Sequence, residues 1–337
     1  MLAAFRPPRE EVTDMSDPRQ PDELGDDAVL TPSEQKLAAE ERARREAEDN
    51  METALFDGIR AAGSGPVDPV RLTRDDTFSF RCHKGVSCWN ACCHGADVTL
   101  TPQDIITLAR HFWVTPAKFV ADYVVPAIHE GSGLPVAKLV MTGRKGEGPC
   151  VFMDDETGCM VYDDRPATCR YYPLGLGAVK MKGHDSREDM YFLVKETHCQ
   201  GHAEELTQSV QTFRAEQGVE PYDLINERWI DILMKMASWR SMGGPMGQDV
   251  SKQTKQMFYM VSTDIDAFRR FVFETKFLEI YEIDADMIES IKTNDEALLQ
   301  LGFDWLRNVM FNEETIGMKP AVLQEAIGKA RSGMGAA

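Results

Sequence analysis

Eight cysteines fall between residues 82 and 199 of this 337-residue chain, and four of them crowd into RCHKGVSCWNACCHG at 81–95. Cys82, Cys88, Cys92 and Cys93 read C-x5-C-x3-C-C. Cys150, Cys159 and Cys169 read C-x8-C-x9-C, and Cys199 follows a longer gap. One cysteine alone is a normal small buried hydrophobe, but that reading does not account for four so close together. Thiols at this density point to a metal or cluster site, to disulfides or to a catalytic thiol.

The compartment bears on that choice. MLAAFRPPREEVTDM is broken by charge and proline before a secretory apolar core can form, and no apolar run of about 18 residues follows, so neither export nor a membrane span is expected. The expected location is cytoplasmic, where thiols stay reduced or bind metal rather than pair. Zinc takes four tetrahedral ligands, usually from C-x2-4-C knuckles, and Cys88-x3-Cys92 alone has that spacing. Iron–sulfur clusters also take four thiolates with looser spacing, so the irregular gaps lean toward a cluster while zinc stays open. The radical triad C-x3-C-x2-C would place its third cysteine at Gly95, which disfavours that chemistry. If Cys92 and Cys93 lie in extended chain, their side chains face opposite ways, and two interleaved sites are expected rather than one.

Other residues stand near the thiols. Arg81, Arg165 and Arg170 flank cysteines and are candidates for donors that stabilise a negative thiolate site. His83, His94 and His198 are alternate ligands. The run Leu174-Gly175-Leu176-Gly177 is a lone G-x-G and makes a weak nucleotide signal.

These residues need elements to hold them. Residues 1–75 read as a polar, proline-broken arm with one solvated helix in TPSEQKLAAEERARREAEDN, and GSGPVDP at 63–69 reads as a linker. TFSF and DVTL flank the first cysteine run as strands. Thr101, Pro102 and Asp104 form a capping signature before DIITLARHFW, and Thr115 with Pro116 repeats it before AKFVADYV. AKLVM reads as a strand, and CVFM and CMVY form a hairpin turning at DDETG. DDRPATCRYYP reads as a short helix between Pro166 and Pro173, and MYFLVKE as a strand ahead of Cys199. The rest shows apolar residues at three- and four-residue intervals, with Trp229, Leu233, Met236 and Trp239 as a core stripe. The expected fold class is α+β: a small cysteine-cluster domain with short strands and a hairpin at 76–218, a mainly helical region at 219–325 and a flexible tail at 326–337.

Composition limits the partners. At 43% hydrophobic residues the chain can bury a core, and 37 basic against 55 acidic residues give a net charge of −18, which repels phosphate backbones. No nucleic acid and no membrane are expected as partners, which leaves a protein partner or substrate. No pattern sets an oligomeric state.

FRCHKGVSCWNACCHGADVTLTPQDI, PCVFMDDETGCMVYDDRPATCRYYPLG and HCQGHAEELTQSVQTFRAEQGVEPYDLIN resemble the YkgJ-type cysteine-cluster family, described as a zinc- or iron-chelating domain with eight cysteines. The resemblance spans about 79–226. Its most specific stretch carries Gly158, Cys159, Tyr162, Arg165, Pro166, Cys169, Arg170, Tyr172 and Pro173. The family's C-x2-C-x2-C-C opening is stretched here to C-x5-C-x3-C-C. The resemblance implies iron–sulfur or zinc binding through Cys82, Cys88, Cys92, Cys93, Cys150, Cys159, Cys169 and Cys199. Because the family includes flagellin lysine N-methylases, it also implies an iron–sulfur enzyme of protein lysine methylation or redox chemistry, with S-adenosylmethionine as a cofactor. The other function class is a non-catalytic, zinc-stabilised interaction module.

Overall fold

The computed structural model describes residues 67–180, 187–242 and 250–324. The expected helix at 31–50 and the tail at 326–337 lie outside them.

The chain opens with strand β1 (Val67–Leu72), in the stretch that reads as linker, then β2 (Thr77–Ser79) and, after the first cysteine run, β3 (Thr99–Leu100). Helices α1 (Pro102–His111) and α2 (Pro116–Tyr123) follow, then β4 (Val124–Ile128) and β5 (Pro135–Leu139). The hairpin β6 (Met153–Asp154) and β7 (Gly158–Cys159) leads to the short helix α3 (Ala167–Tyr171). Strands β8 (Leu174–Lys180) and β9 (Arg187–Val194), β10 (Thr207–Ser209) and α4 (Val210–Gln217) complete the first half. The second half holds α5 (Glu220–Ser241), α6 (Lys252–Thr263), α7 (Ile265–Glu274), α8 (Phe277–Ile280), β11 (Tyr281–Glu282), α9 (Ala285–Ser290), α10 (Asp295–Phe311) and β12 (Gly317–Met318). The fold is α+β with helices and strands interspersed. Helices α1 and α2 lie among the cysteine-bearing strands, and β11 pairs with β12 among the later helices.

Two three-stranded antiparallel sheets carry the first half, in the orders β3-β5-β4 and β1-β9-β8, with β2 paired to β10. Each packs its own apolar cluster. Val98, Leu100, Ile105, Leu108, Phe119, Leu139 and Phe152 fill one, and Phe78, Phe80, Tyr171, Leu174, Tyr191 and Phe213 fill the other. A third cluster joins Trp229, Ile232, Leu233 and Met236 of α5 to Phe258, Val261, Phe268, Leu298 and Trp305, so the aromatic and methionine stripe is core.

Helix α1 is the wall shared by two of these clusters. Ile105 and Leu108 face the sheet, while the adjacent Ile106 enters the helical cluster with Leu134 and Val136. Its start follows the local code, since Thr101 Oγ1 accepts the Asp104 N–H at 3.2 Å and Asp104 Oδ2 accepts the Thr101 N–H at 2.8 Å. Thr115 accepts the Lys118 N–H at 3.2 Å and starts α2 in the same way. The second oxygen of Asp104 reaches across the fold and accepts the Ala167 N–H at 2.9 Å, so one carboxylate caps both α1 and the cysteine-bearing α3.

Asp104 is fully buried, and burial pushes its carboxyl up to about 6 despite the N–H donors of Thr101 and Ala167 and the Thr101 hydroxyl. A folded-state value above the unfolded 3.8 means its stability contribution is present below pH 3.8 and lost as pH rises through about 6. The stability difference between wild type and Asp104→Asn should therefore shift against wild type by about 3 kcal/mol between pH 3.5 and 7. Urea unfolding of both proteins at the two pH values checks this, and a pH-independent difference refutes it.

Candidate functional site

The first cysteine run is not extended. Asn90 adopts a left-handed conformation with φ 67°, and Ala91–Cys93 form one turn of 3-10 helix closed by the Cys93 N–H to the Asn90 carbonyl at 2.9 Å. Cys92 and Cys93 therefore do not point to opposite faces, and the Cys92 thiol hydrogen-bonds to the Cys93 sulfur. The expectation of two interleaved sites rested on an extended backbone, and the turn removes its basis.

This run is clasped by two distant segments. On one side Cys93 accepts the Cys150 N–H at 2.7 Å, and the Gly95 N–H donates to Gly148 at 2.9 Å. Lys84 reaches the Glu156 carbonyl at 2.7 Å and lies over the Trp89 ring, whose edge rests on Gly158. A Cβ there would meet that ring at 2.7 Å, and the local φ is +89°, so both space and backbone call for glycine. On the other side the Arg81 N–H donates to Gly201 at 3.0 Å, and the Gln200 N–H donates to the Cys88 sulfur at 3.1 Å. Gly201 lies against the Phe80 ring.

The sulfurs gather in two neighbourhoods that meet at Cys92. Cys82, Cys88, Cys92 and Cys199 line a cleft together with Phe80, Tyr172 and His198. Cys150, Cys159 and Cys169 belong to the hairpin and α3, and each lies within electrostatic reach of another of them, with Cys92 reached by Cys159 and Cys169. All eight thiols are free. Burial and then neighbouring thiols push Cys82 up to about 11. Burial is the largest cause raising Cys150, Cys159 and Cys169, while Cys92 is raised first by its hydrogen bond to Cys93.

The flanking residues are engaged elsewhere. Arg170 donates to the backbone carbonyls of Arg165 and Gln217, each at 3.0 Å, and to that of Asp163, and its guanidinium lies over the Tyr222 ring at 4.6 Å. Arg165 donates to the Tyr162 carbonyl at 2.6 Å and the Gln217 side chain at 2.5 Å, although it stays within electrostatic reach of Cys159 and Cys169. His83 pairs with Glu204 at 3.1 Å, His94 donates to the Asn90 carbonyl at 3.3 Å, and His198 lies 3.4 Å from Glu196. Sequence reasoning missed Gly201 and Glu204, which meet the cysteine run from across the fold, and the parts that Phe80 and Trp89, beside and within the run, play by packing on Gly201 and Gly158.

The site is that of a cysteine-clasp domain, in which a thiol-rich turn locks a hairpin and a distant loop onto a mixed α+β scaffold. Residues 81–200 match the model of the CxxCxxCC family, described as "Putative zinc- or iron-chelating domain". Neither the curated proteins nor the solved structures hold a match to the chain.

The metal expected from the sequence does not fit this geometry. Among the described residues no group of three or more Cys, His, Asp or Glu side chains lies close enough to hold a metal ion. The reading of the eight cysteines as an iron–sulfur or zinc centre, and of the chain as an iron–sulfur enzyme, is corrected accordingly. The reason is positional: the thiols are spread over the 81–95 run, the hairpin, α3 and the turn at Cys199, and Arg165, Arg170, His83, His94 and His198 have other partners.

Two outcomes follow. Dialysis against a strong chelator should leave the unfolding temperature unchanged within about 1 °C, and chelator-induced unfolding of the segment would overturn the correction. Gly158→Ala should destabilise by about 1–3 kcal/mol and alter Trp89 emission. Gly146→Ala, at φ +75° but with its nearest neighbour 3.8 Å from the added Cβ, should cost clearly less.

Proposed function

We propose that the chain is a non-catalytic interaction module. In this reading residues 76–218 form the recognition part and residues 219–325 their helical support, and the eight free thiols suit a reducing cytoplasm. No helix among the described residues is long and apolar enough to cross a membrane.

The observation that carries the reading is Trp113. It follows the last turn of α1 with φ 57°, and 93% of its surface is exposed. A bulky residue rarely adopts a left-handed conformation, which costs about 1–2 kcal/mol, and an indole in water returns nothing to folding. Its neighbour Phe112 shows the contrast, partly buried against an apolar cluster with its ring 5.2 Å from Phe152 and 5.4 Å from Tyr123. Met160 and Tyr162, at the cysteine hairpin, are also more than half exposed. Aromatic side chains held out to solvent on a rigid scaffold are what binding surfaces use as anchors.

If Trp113 serves binding and not the fold, Trp113→Gly should leave the structure intact and stabilise it by about 1 kcal/mol, because glycine adopts this backbone freely. Denaturant unfolding measures it. A loss of stability would show that the indole supports the fold, and the reading would fall.

A further inference from the structure

We infer that Trp113, Met160 and Tyr162 form a docking surface for a basic segment of a partner protein, one in which Arg or Lys flanks an apolar side chain. This rests on the interaction-module reading and adds the place and the chemistry of the partner. The three side chains emerge from one region. The His111 ring nitrogen and Asp164 Oδ2, 2.8 Å apart, join the end of α1 to the turn that carries Tyr162. The Met160 N–H donates to the Phe152 carbonyl at 2.9 Å, and the Phe152 ring packs against Phe112, next to Trp113. Trp113 and Met160 therefore border one aromatic cluster, and Tyr162 is joined to the same edge through the Asp164–His111 pair.

Charge selects the occupant. Asp155 and Glu156 lie exposed in the hairpin turn just ahead of Met160, and Asp163 lies exposed beside Tyr162. The nearby cations are committed within the protein. Lys84 is on the Glu156 carbonyl, Lys118 pairs with Asp122 at 2.7 Å, and Arg165 is on Tyr162 and Gln217. With a net charge of −18, a second copy of this chain, an anionic lipid surface and a nucleic acid are all repelled. A Lys or Arg is drawn to the carboxylates, gains a cation–π contact over the exposed indole, and brings its apolar neighbour onto Met160 and Tyr162.

The test uses the whole chain as bait for a randomised library of peptides about fifteen residues long, with enriched peptides remeasured by fluorescence anisotropy at low and high salt. The expected winners are net basic, with Arg or Lys next to an apolar residue. Binding should fall at least about tenfold with Trp113→Ser and again at high salt, while Asp163→Asn should flatten the salt dependence. Trp113→Ser is required to keep the wild-type circular dichroism, and Trp113→Gly serves as the alternate variant if it does not. Neutral or acidic winners, winners indifferent to both Trp113 variants, or no enrichment would each overturn the surface. Mass spectrometry of the bound peptide separates the two readings. A covalently altered peptide that still depends on Trp113 keeps the surface and refutes the non-catalytic module.

Discussion

The Arg170 guanidinium holds the cysteine-bearing part of this protein together. One planar group, buried beside Cys169, satisfies the carbonyls of Asp163, Arg165 and Gln217 and stacks on Tyr222. A turn, a helix entry, the end of α4 and the start of α5 are thereby fixed to one another. Backbone carbonyls inside a protein need donors, and guanidinium offers five in a fixed fork, so a single arginine does what several side chains would otherwise have to do. An arginine so used is not available to donate to sulfur, and this explains why its place next to a cysteine in the sequence misleads.

Asp104 complements it from the other side of α3. By capping two helices at once, its carboxylate ties the first helix of the fold to the last cysteine-bearing helix, and α1 in turn divides its apolar residues between two clusters. The position of Cys169 relative to the hairpin cysteines therefore depends on how α1 packs, since Asp104 lies within electrostatic reach of Cys169 and the α1 cluster borders Cys150 and Cys159. A change at α1 is transmitted to the thiols through rigid elements and not through the cysteine loop itself.

The thiol-rich turn is a clasp of backbone hydrogen bonds and close glycine contacts. Cys93 and Cys150 meet through main chain, Cys88 accepts from the Gln200 N–H, and Trp89 needs the missing side chain of Gly158. Crowding thiols into protein surroundings keeps several of them neutral, which suits a structural role. Strain is placed elsewhere, at the Trp113 turn, where the chain keeps an unfavourable backbone under an exposed indole.

Much of the local architecture was legible in the residues. Thr101-Pro102-x-Asp104 and Thr115-Pro116 announced two helix starts, DDETG a turn, the Pro166 and Pro173 pair a short helix, and the apolar spacing four of the later helices, because each signal acts between neighbours three or four residues apart. The family was legible too, since its cysteine and arginine spacings lie within one contiguous stretch. β4 was hidden by Pro126 inside it, and β1 by a proline-bearing stretch that reads as linker, since strand pairing depends on a partner elsewhere in the chain. The sequence also determined that eight thiols share one segment. Only the tertiary structure decided how far apart their sulfurs lie, which partners the arginines and histidines take, and that Trp113 faces water while Phe112 does not. Those outcomes are set by the angles at which helices and sheets pack over three apolar clusters, and such angles are summed from contacts between residues a hundred positions apart.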